Sequence, residues 1–182
     1  MREVTLLGTS HDIQRGDRLS RKFKILLLNS IKNGGFSCVA EEIDDARSYI
    51  AENICNEIGI SHLVVEPTPT EAEKLGIEND NKITYRIQNL FWEEIEKNGG
   101  WPAEPSADSL PTNIWTQYSE ELEASYRARE QEWYNRIVKV NNWPLLFICG
   151  ASHYTPFKKK LESLGILVTE LCMHWDPEKN KT

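Results

Sequence analysis

Strand-like and helix-like patterns alternate along residues 1–66, and this alternation is the strongest constraint on the fold. The apolar run VTLLG is followed by a segment with apolar residues at helical spacing and glycines at its end. Two buried-type strands, FSCVAEE and HLVVEP, then enclose a second helical segment that ends at Gly59. The order β-α-β-α-β predicts a parallel sheet with right-handed crossovers. We therefore predict an α/β fold whose central, mostly parallel sheet is flanked by helices in three layers.

The rest of the chain predicts a helical excursion and two more strands. NKITYRIQNLFWEEIEKNGG is typical of a helix, a proline-rich connector follows it, and a long helix runs from about Gln117 to Val140. LLFICG and ILVTELC are predicted strands. A chain of 182 residues favours one domain. We expect this α/β domain over 1–173, with a helical, proline-rich insertion over 67–118 and a flexible tail over 174–182.

Composition argues against several classes of protein. No apolar run approaches the roughly 20 residues that cross a bilayer, and the N-terminal residues lack the pattern of a signal peptide. The four cysteines are scattered without CxxC spacing, which is typical of reduced thiols, so we expect a cytoplasmic protein. The formal net charge of -7 argues against a nucleic-acid-binding surface.

Three of the four histidines stand in the pattern Gly-x-Ser-His. His11 and His153 follow apolar runs, whereas His62 precedes its own strand and is expected to be a strand cap or a surface residue. Because ligands bind outside the carboxyl ends of parallel strands, we expect His11 and His153 to face one cleft. The candidate ligand-binding residues within their two motifs are Gly8, Ser10, Gly150 and Ser152.

Carboxylates are predicted at the same edge of the sheet. FSCVAEE brings Glu41 and Glu42 to the end of its strand, and HLVVE brings Glu66 to the end of the next. A glutamate after a strand can also cap the following helix, and a histidine after a glycine can simply end a strand. The convergence of two histidines with up to three carboxylates favours a functional site over these separate explanations.

The motifs GTSH and GASH, together with EIDDAR at Glu42 to Arg47 and RAREQEW before the second motif, resemble a known superfamily. It joins TraB-like proteins, Tiki proteases, erythromycin esterases and haem-binding ChaN-like proteins, and the resemblance covers roughly 1–50 and 120–170. It implies that Glu42 is the principal carboxylate. Because the superfamily contains hydrolases, some of them metal-dependent, and also a binding protein, the resemblance implies a site more firmly than a reaction.

A charge interrupts the apolar stripe of the predicted long helix. The stripe consists of Leu122, Tyr126, Trp133, Ile137 and Val140. Its expected central turn falls on Arg129 and Glu130. A guanidinium turned inward needs a carboxylate or a substrate anion, although a residue at the edge of the stripe can extend to solvent. Since the resemblance also includes this segment, we predict that Arg129 holds the glutamate or a developing oxyanion.

Together these residues predict a hydrolase of the metal-dependent peptidase or esterase class that acts on a small-molecule or peptide substrate. His11, Glu42 and His153 would activate water, either as general bases or as ligands of a divalent metal such as Mn, Co or Zn. Two alternatives stay open. One is a non-catalytic protein that binds haem or another small ligand at this edge, and the other is a structural member of the superfamily that binds nothing.

Overall fold

A five-stranded parallel sheet forms the centre of the first compact unit. The computed structural model describes residues 2–43 and 49–178. The strands are β1 (Glu3–Thr9), β2 (Cys38–Glu41), β3 (Ser61–Val64), β4 (Leu145–Gly150) and β5 (Leu167–Cys172). Their order across the sheet is β3-β2-β4-β1-β5, and each adjacent pair is parallel. The predicted α/β fold with a parallel central sheet is therefore confirmed.

The central strands are buried on both faces. β4 is buried along its whole length, and β1 is buried from its second residue onward. Their sequences are nearly continuous apolar runs, as expected for parallel strands covered by helices on both sides. By contrast, β5 lies at one edge and leaves the side chains of Leu167 and Leu171 exposed.

Helices cover both faces of this sheet, which gives the predicted three layers. The helices of this unit are α1 (His11–Gln14), α2 (Ser20–Gly34), α3 (Ile50–Ile58), α8 (Ala151–Ser163) and the end of α7 (Thr112–Ile137). Alternate residues of β4 point to opposite faces. Phe147 packs with Trp133 of α7 and Phe157 of α8, whereas Ile148 packs with side chains of α2 and α3.

Residues 67–129 form a second compact unit with its own apolar cluster, while residues 1–66 and 130–182 form the first. The second unit contains α4 (Pro69–Lys74), α5 (Asp80–Leu90), α6 (Trp92–Lys97) and the first part of α7. The single helix predicted from NKITYRIQNLFWEEIEKNGG is thus two helices, which meet at Phe91. Among the described residues, no helix has the length and apolarity needed to span a membrane.

The chain after β5 packs against α2 within the first unit. We call residues 173–178 the closing segment. Its Trp175 ring lies 5.4 Å from the ring of Phe23, measured between centroids, and its Asp176 is only 1% exposed. These contacts involve the first residues of the predicted tail, whose last four residues, 179–182, lie outside the described part of the chain.

Candidate functional site

The two Gly-x-Ser-His motifs that follow strands leave the sheet side by side. β1 and β4 are parallel neighbours, and their register pairs Gly8 with Cys149 and Thr9 with Gly150. Each strand runs directly into a helix, so His11 is the first residue of α1 and His153 is the third residue of α8. This arrangement brings both imidazoles to the carboxyl ends of the two central strands.

Gly150 marks the point at which the predicted residues converge. A Cβ atom placed on Gly150 would lie 3.3 Å from Glu42 Oε2, 3.7 Å from His11 Nε2 and 3.7 Å from His153 Cδ2. Three chemically active groups thus surround one backbone position. Its φ of -59° is ordinary for any residue, so a glycine here is explained by the nearby side chains rather than by backbone conformation.

Glu42 is the buried carboxylate of this group, with 1% of its surface exposed. One carboxylate oxygen, Oε1, lies 3.1 Å from His11 Nε2, and the other, Oε2, accepts a 2.7 Å hydrogen bond from the backbone N–H of Gly150. Its own backbone N–H donates to the carbonyl of Ile148, which extends the pairing of β2 with β4 by one residue. Glu42 is therefore held by both its side chain and its backbone.

His153 belongs to a second acid–histidine pair. Its Nδ1 lies 3.0 Å from Oε1 of Glu130 on α7, and both side chains are at least 95% buried. Trp133 contacts the His153 ring edge-on, with 4.9 Å between ring centroids. When Glu130 is ionised it accepts a hydrogen bond from Nδ1–H, which leaves the lone pair of the neutral imidazole on Nε2. Nε2 is bonded to Cδ2, the ring atom nearest to the Gly150 position.

Gly8 has a packing role that the sequence did not indicate. A Cβ atom there would lie 1.9 Å from the backbone oxygen of Met173 and 3.0 Å from a ring atom of Tyr154. The close approach is made by the chain's own closing segment. Gly8 therefore allows the backbone of Met173 to approach the end of β1 closely, whereas we had predicted that Gly8 binds a ligand.

The remaining predicted residues, Ser10, Ser152 and Glu66, have different surroundings. The backbone carbonyl of Ser10 accepts the first hydrogen bonds of α1, and Ser152 is exposed. Glu66 accepts a 2.8 Å hydrogen bond from the indole N–H of Trp133, the residue that also contacts His153. Glu66 is thus linked to the second acid–histidine pair through a tryptophan.

Glu41 forms a third acid–histidine contact, with His62. The distance from Glu41 Oε2 to His62 Nε2 is 3.2 Å, and the His62 side chain is only 8% exposed, so of the two expected roles, strand cap or surface residue, the surface role was wrong. Glu41 is fully buried, and this burial raises the pKa of its carboxyl group. Within the described part of the chain, its Oε1 has no hydrogen-bond partner. Glu41 therefore pairs with the histidine that we had set apart from the site.

Two predicted features are not tested by the contacts described above. Arg129 is half-buried and belongs to the second compact unit, so its role at the site stays a prediction. The EIDDAR segment beyond Ile43 lies in residues 44–48, outside the described residues. Among residues 2–43 and 49–178, no group of three histidine, cysteine or acidic side chains has the geometry to hold a metal ion. The divalent metal predicted at His11, Glu42 and His153 stays a prediction.

Glu130, the partner of His153, was not among the predicted site residues. The helical stripe pointed to the correct turn, but we selected the arginine because an inward guanidinium is unusual and the resemblance included it. The spacing held a further signal. Tyr126, Glu130, Trp133 and Ile137 follow one another at intervals of four, three and four residues, which places Glu130 directly on the buried face.

Comparison of the chain with protein-family models, with curated proteins and with solved structures found no match. The family resemblance of the motifs therefore stays a prediction.

Proposed function

We propose that this protein is a hydrolase that cleaves an ester or amide bond of a small-molecule or peptide substrate. The observation that carries the proposal is the convergence of Glu42, His11 and His153 around Gly150. Hydrolysis requires one group to take a proton from water and another to give a proton to the leaving group. Two acid–histidine pairs at one edge of the sheet can supply both.

In this proposal His11 is the general base. Its side chain is 36% exposed, compared with 5% for His153, so water reaches the His11 imidazole more readily. Glu42 orients this imidazole and stabilises the positive charge that forms when the imidazole takes the proton. The bond from Gly150 N–H keeps the carboxylate in place during that transfer.

His153 is the general acid. In its protonated form, held at Nδ1 by Glu130, it gives the proton on Nε2 to the leaving oxygen or nitrogen as the scissile bond breaks. In the preceding step, the water oxygen bonds to the carbonyl carbon and one of the water protons moves to His11. Solvent then returns the proton from His11 to His153, and both carboxylates stay ionised throughout.

A buried thiol is a poor nucleophile for this reaction. Cys149 precedes Gly150 in β4 and is fully buried, and burial raises its pKa well above the ordinary value. The neighbouring charges of Glu42 and Glu130 act in the same direction. Direct attack by water therefore fits the site better than a cysteine intermediate.

The proposal is tested with 4-nitrophenyl acetate as an ester probe and a mixed peptide library as an amide probe. We expect His11→Asn to lower kcat/KM by about 100-fold or more on both probes, and His153→Asn to do so on the peptide probe, whose amine leaving group needs a proton, with the fold retained. The control is His62→Asn, which removes the third Gly-x-Ser-His histidine and should retain most of the rate. Equal losses in all three variants would contradict the proposal, and a Soret band without turnover would support haem binding instead.

A further inference from the structure

Arg18 ties the turn after His11 to the closing segment. Its Nε donates a 2.8 Å hydrogen bond to Oδ2 of Asp12, the residue next to His11. Its Nη1 and Nη2 donate to the two carboxylate oxygens of Asp176, at 3.3 and 2.5 Å. Asp176 is 1% exposed, so this forked contact is shielded from solvent on one side.

The closing segment is itself fixed to the strand end that leads to His11. The backbone N–H of Trp175 donates a 2.7 Å hydrogen bond to the carbonyl of Gly8, and Thr9 Oγ1 donates a 3.0 Å bond to the carbonyl of Trp175. The indole ring packs on Phe23 of α2. The segment thus provides a firm anchor for Arg18 beside the first motif.

The turn that Arg18 stabilises is tight. The backbone N–H groups of Asp17 and Arg18 donate to the carbonyl of Asp12, at 2.9 and 3.2 Å. Leu19 has a φ of 56°, in the left-handed region that residues other than glycine rarely adopt, so surrounding contacts must hold it there. The neighbouring Ser10 side chain and the hydrogen bond from Arg18 lower the pKa of the Asp12 carboxyl below its ordinary value.

We propose that Arg18 is a positioning residue that keeps His11 on Glu42. Acting through Asp12 and Asp176, its guanidinium locks the turn against the closing segment, so that the imidazole at the start of α1 holds its 3.1 Å contact. That this contact matters for catalysis rests on the proposed function. The contact itself can be tested without any substrate.

The test uses the full chain with 15N-labelled histidine. The His11 signals are assigned with the His11→Asn variant, and the variants compared are Arg18→Gln, Arg18→Lys and Asp176→Asn. We expect the His11 nitrogen shifts to move toward those of a mixed tautomer in Arg18→Gln and Asp176→Asn, while the His153 shifts stay unchanged. Lysine should restore the parent signal only in part, because a point charge cannot reproduce the forked contact.

Kinetics with 4-nitrophenyl acetate supply the second readout. A displaced general base should lower kcat by about 10- to 100-fold with little change in KM. The matched control is Arg86→Gln, which removes another arginine that bridges two carboxylates, Glu78 and Glu121, in the second compact unit. It should leave kcat and the His11 signals unchanged.

The two readouts separate failure of the inference from failure of the proposed function. Unchanged His11 signals in folded Arg18→Gln and Asp176→Asn would overturn the inference, whatever the kinetics. If the signals move but the parent protein hydrolyses neither probe, the positioning role is supported and the hydrolase proposal fails. Should Arg18→Gln not fold, Asp176→Asn decides, since it keeps the shape of the side chain and removes only the charge.

Discussion

Two adjacent glutamates at the end of β2 each contact a histidine, yet the two pairs differ in nearly every other respect. Glu42 lies between His11 and the Gly150 amide, beside His153. Glu41 contacts His62, which lies within β3 rather than after a strand. Successive side chains of extended chain point to opposite faces of a sheet, so the two carboxylates leave β2 in opposite directions.

This difference shows that the role of the histidine in a Gly-x-Ser-His motif depends on whether the motif follows or precedes a strand. When the motif follows a strand, its histidine reaches the carboxyl edge, where a neighbouring strand can bring a second histidine. When the motif precedes a strand, its histidine lies within that strand and contacts a side chain of the neighbouring strand. Both glutamates are 0–1% exposed, but the His11 side chain is 36% exposed and the His62 side chain only 8%.

The largest expected effect that separates the pairs is on catalysis. Glu42→Gln should lower kcat/KM for 4-nitrophenyl acetate by about 100-fold or more, because a neutral amide cannot stabilise a protonated His11. Glu41→Gln, one residue away, should keep most of the parent activity. Both substitutions preserve side-chain shape, so the comparison isolates the charge.

Circular dichroism and thermal unfolding check that both variants are folded before their rates are compared. If Glu41→Gln loses as much activity as Glu42→Gln, the two glutamates act as one unit, and the division between the pairs is wrong.

Much of this site could be predicted because parallel sheets place strand ends together. His11, Glu42 and His153 each follow an apolar run, and the β-α-β order puts those runs in one parallel sheet. The pairing of His62 with Glu41 could not be predicted in the same way. It depends on the register of β3 against β2, which aligns His62 with Val39, and a sequence does not reveal register before the neighbouring strand is known.

The contacts that Glu130 of α7 and the closing segment make could not be predicted from the sequence, for other reasons. The choice between Arg129 and Glu130 depends on a rotation of about 100° along a helix, which is the angle between successive residues. Asp176 lies in a polar stretch after the last strand, where composition indicates a loose end. Its partner Arg18 is 158 positions away in sequence, so no local pattern joins them.

The next effect concerns stability and compares the glycines of the two motifs that follow strands. Gly8→Ala should destabilise the protein by about 1–3 kcal/mol, because its Cβ would meet the Met173 backbone oxygen at 1.9 Å. Gly150→Ala meets only side-chain atoms, at 3.3 Å or more, and should unfold at nearly the parent temperature while losing activity. Thermal unfolding and ester hydrolysis of both variants check this, and equal melting temperatures would contradict it.

A smaller effect, of opposite sign, is expected from the buried charge of Glu41. Burial raises the pKa of this carboxyl, so the folded chain holds the proton more tightly than the unfolded chain does. Its contribution to stability is therefore full below the ordinary carboxyl pKa and is lost as the pH rises through the raised value. Glu41→Gln removes this loss and should therefore be more stable than the parent near neutral pH.

Urea unfolding at about pH 5 and about pH 8 measures this effect through the change in unfolding free energy. The parent should lose stability between these two conditions relative to Glu41→Gln. Glu42→Gln serves as the control and should gain nothing, since its carboxylate already has two hydrogen-bonding partners. A Glu41→Gln variant that is less stable than the parent at both pH values would show that the charged form is favoured by the fold.

The smallest expected effect lies at Gly59, the glycine of the motif that precedes a strand. Gly59 ends α3 with a φ of 83°, and within residues 2–43 and 49–178 no atom beyond its chain neighbours lies within 4 Å of the position that a Cβ would occupy. Alanine there meets backbone strain but no clash, so Gly59→Ala should cost about 1 kcal/mol and leave ester hydrolysis unchanged. Asparagine tolerates the left-handed conformation better, and Gly59→Asn should recover part of that loss. If Gly59→Ala instead lowers activity as Gly150→Ala does, all three motifs serve one function, and strand direction does not distinguish them.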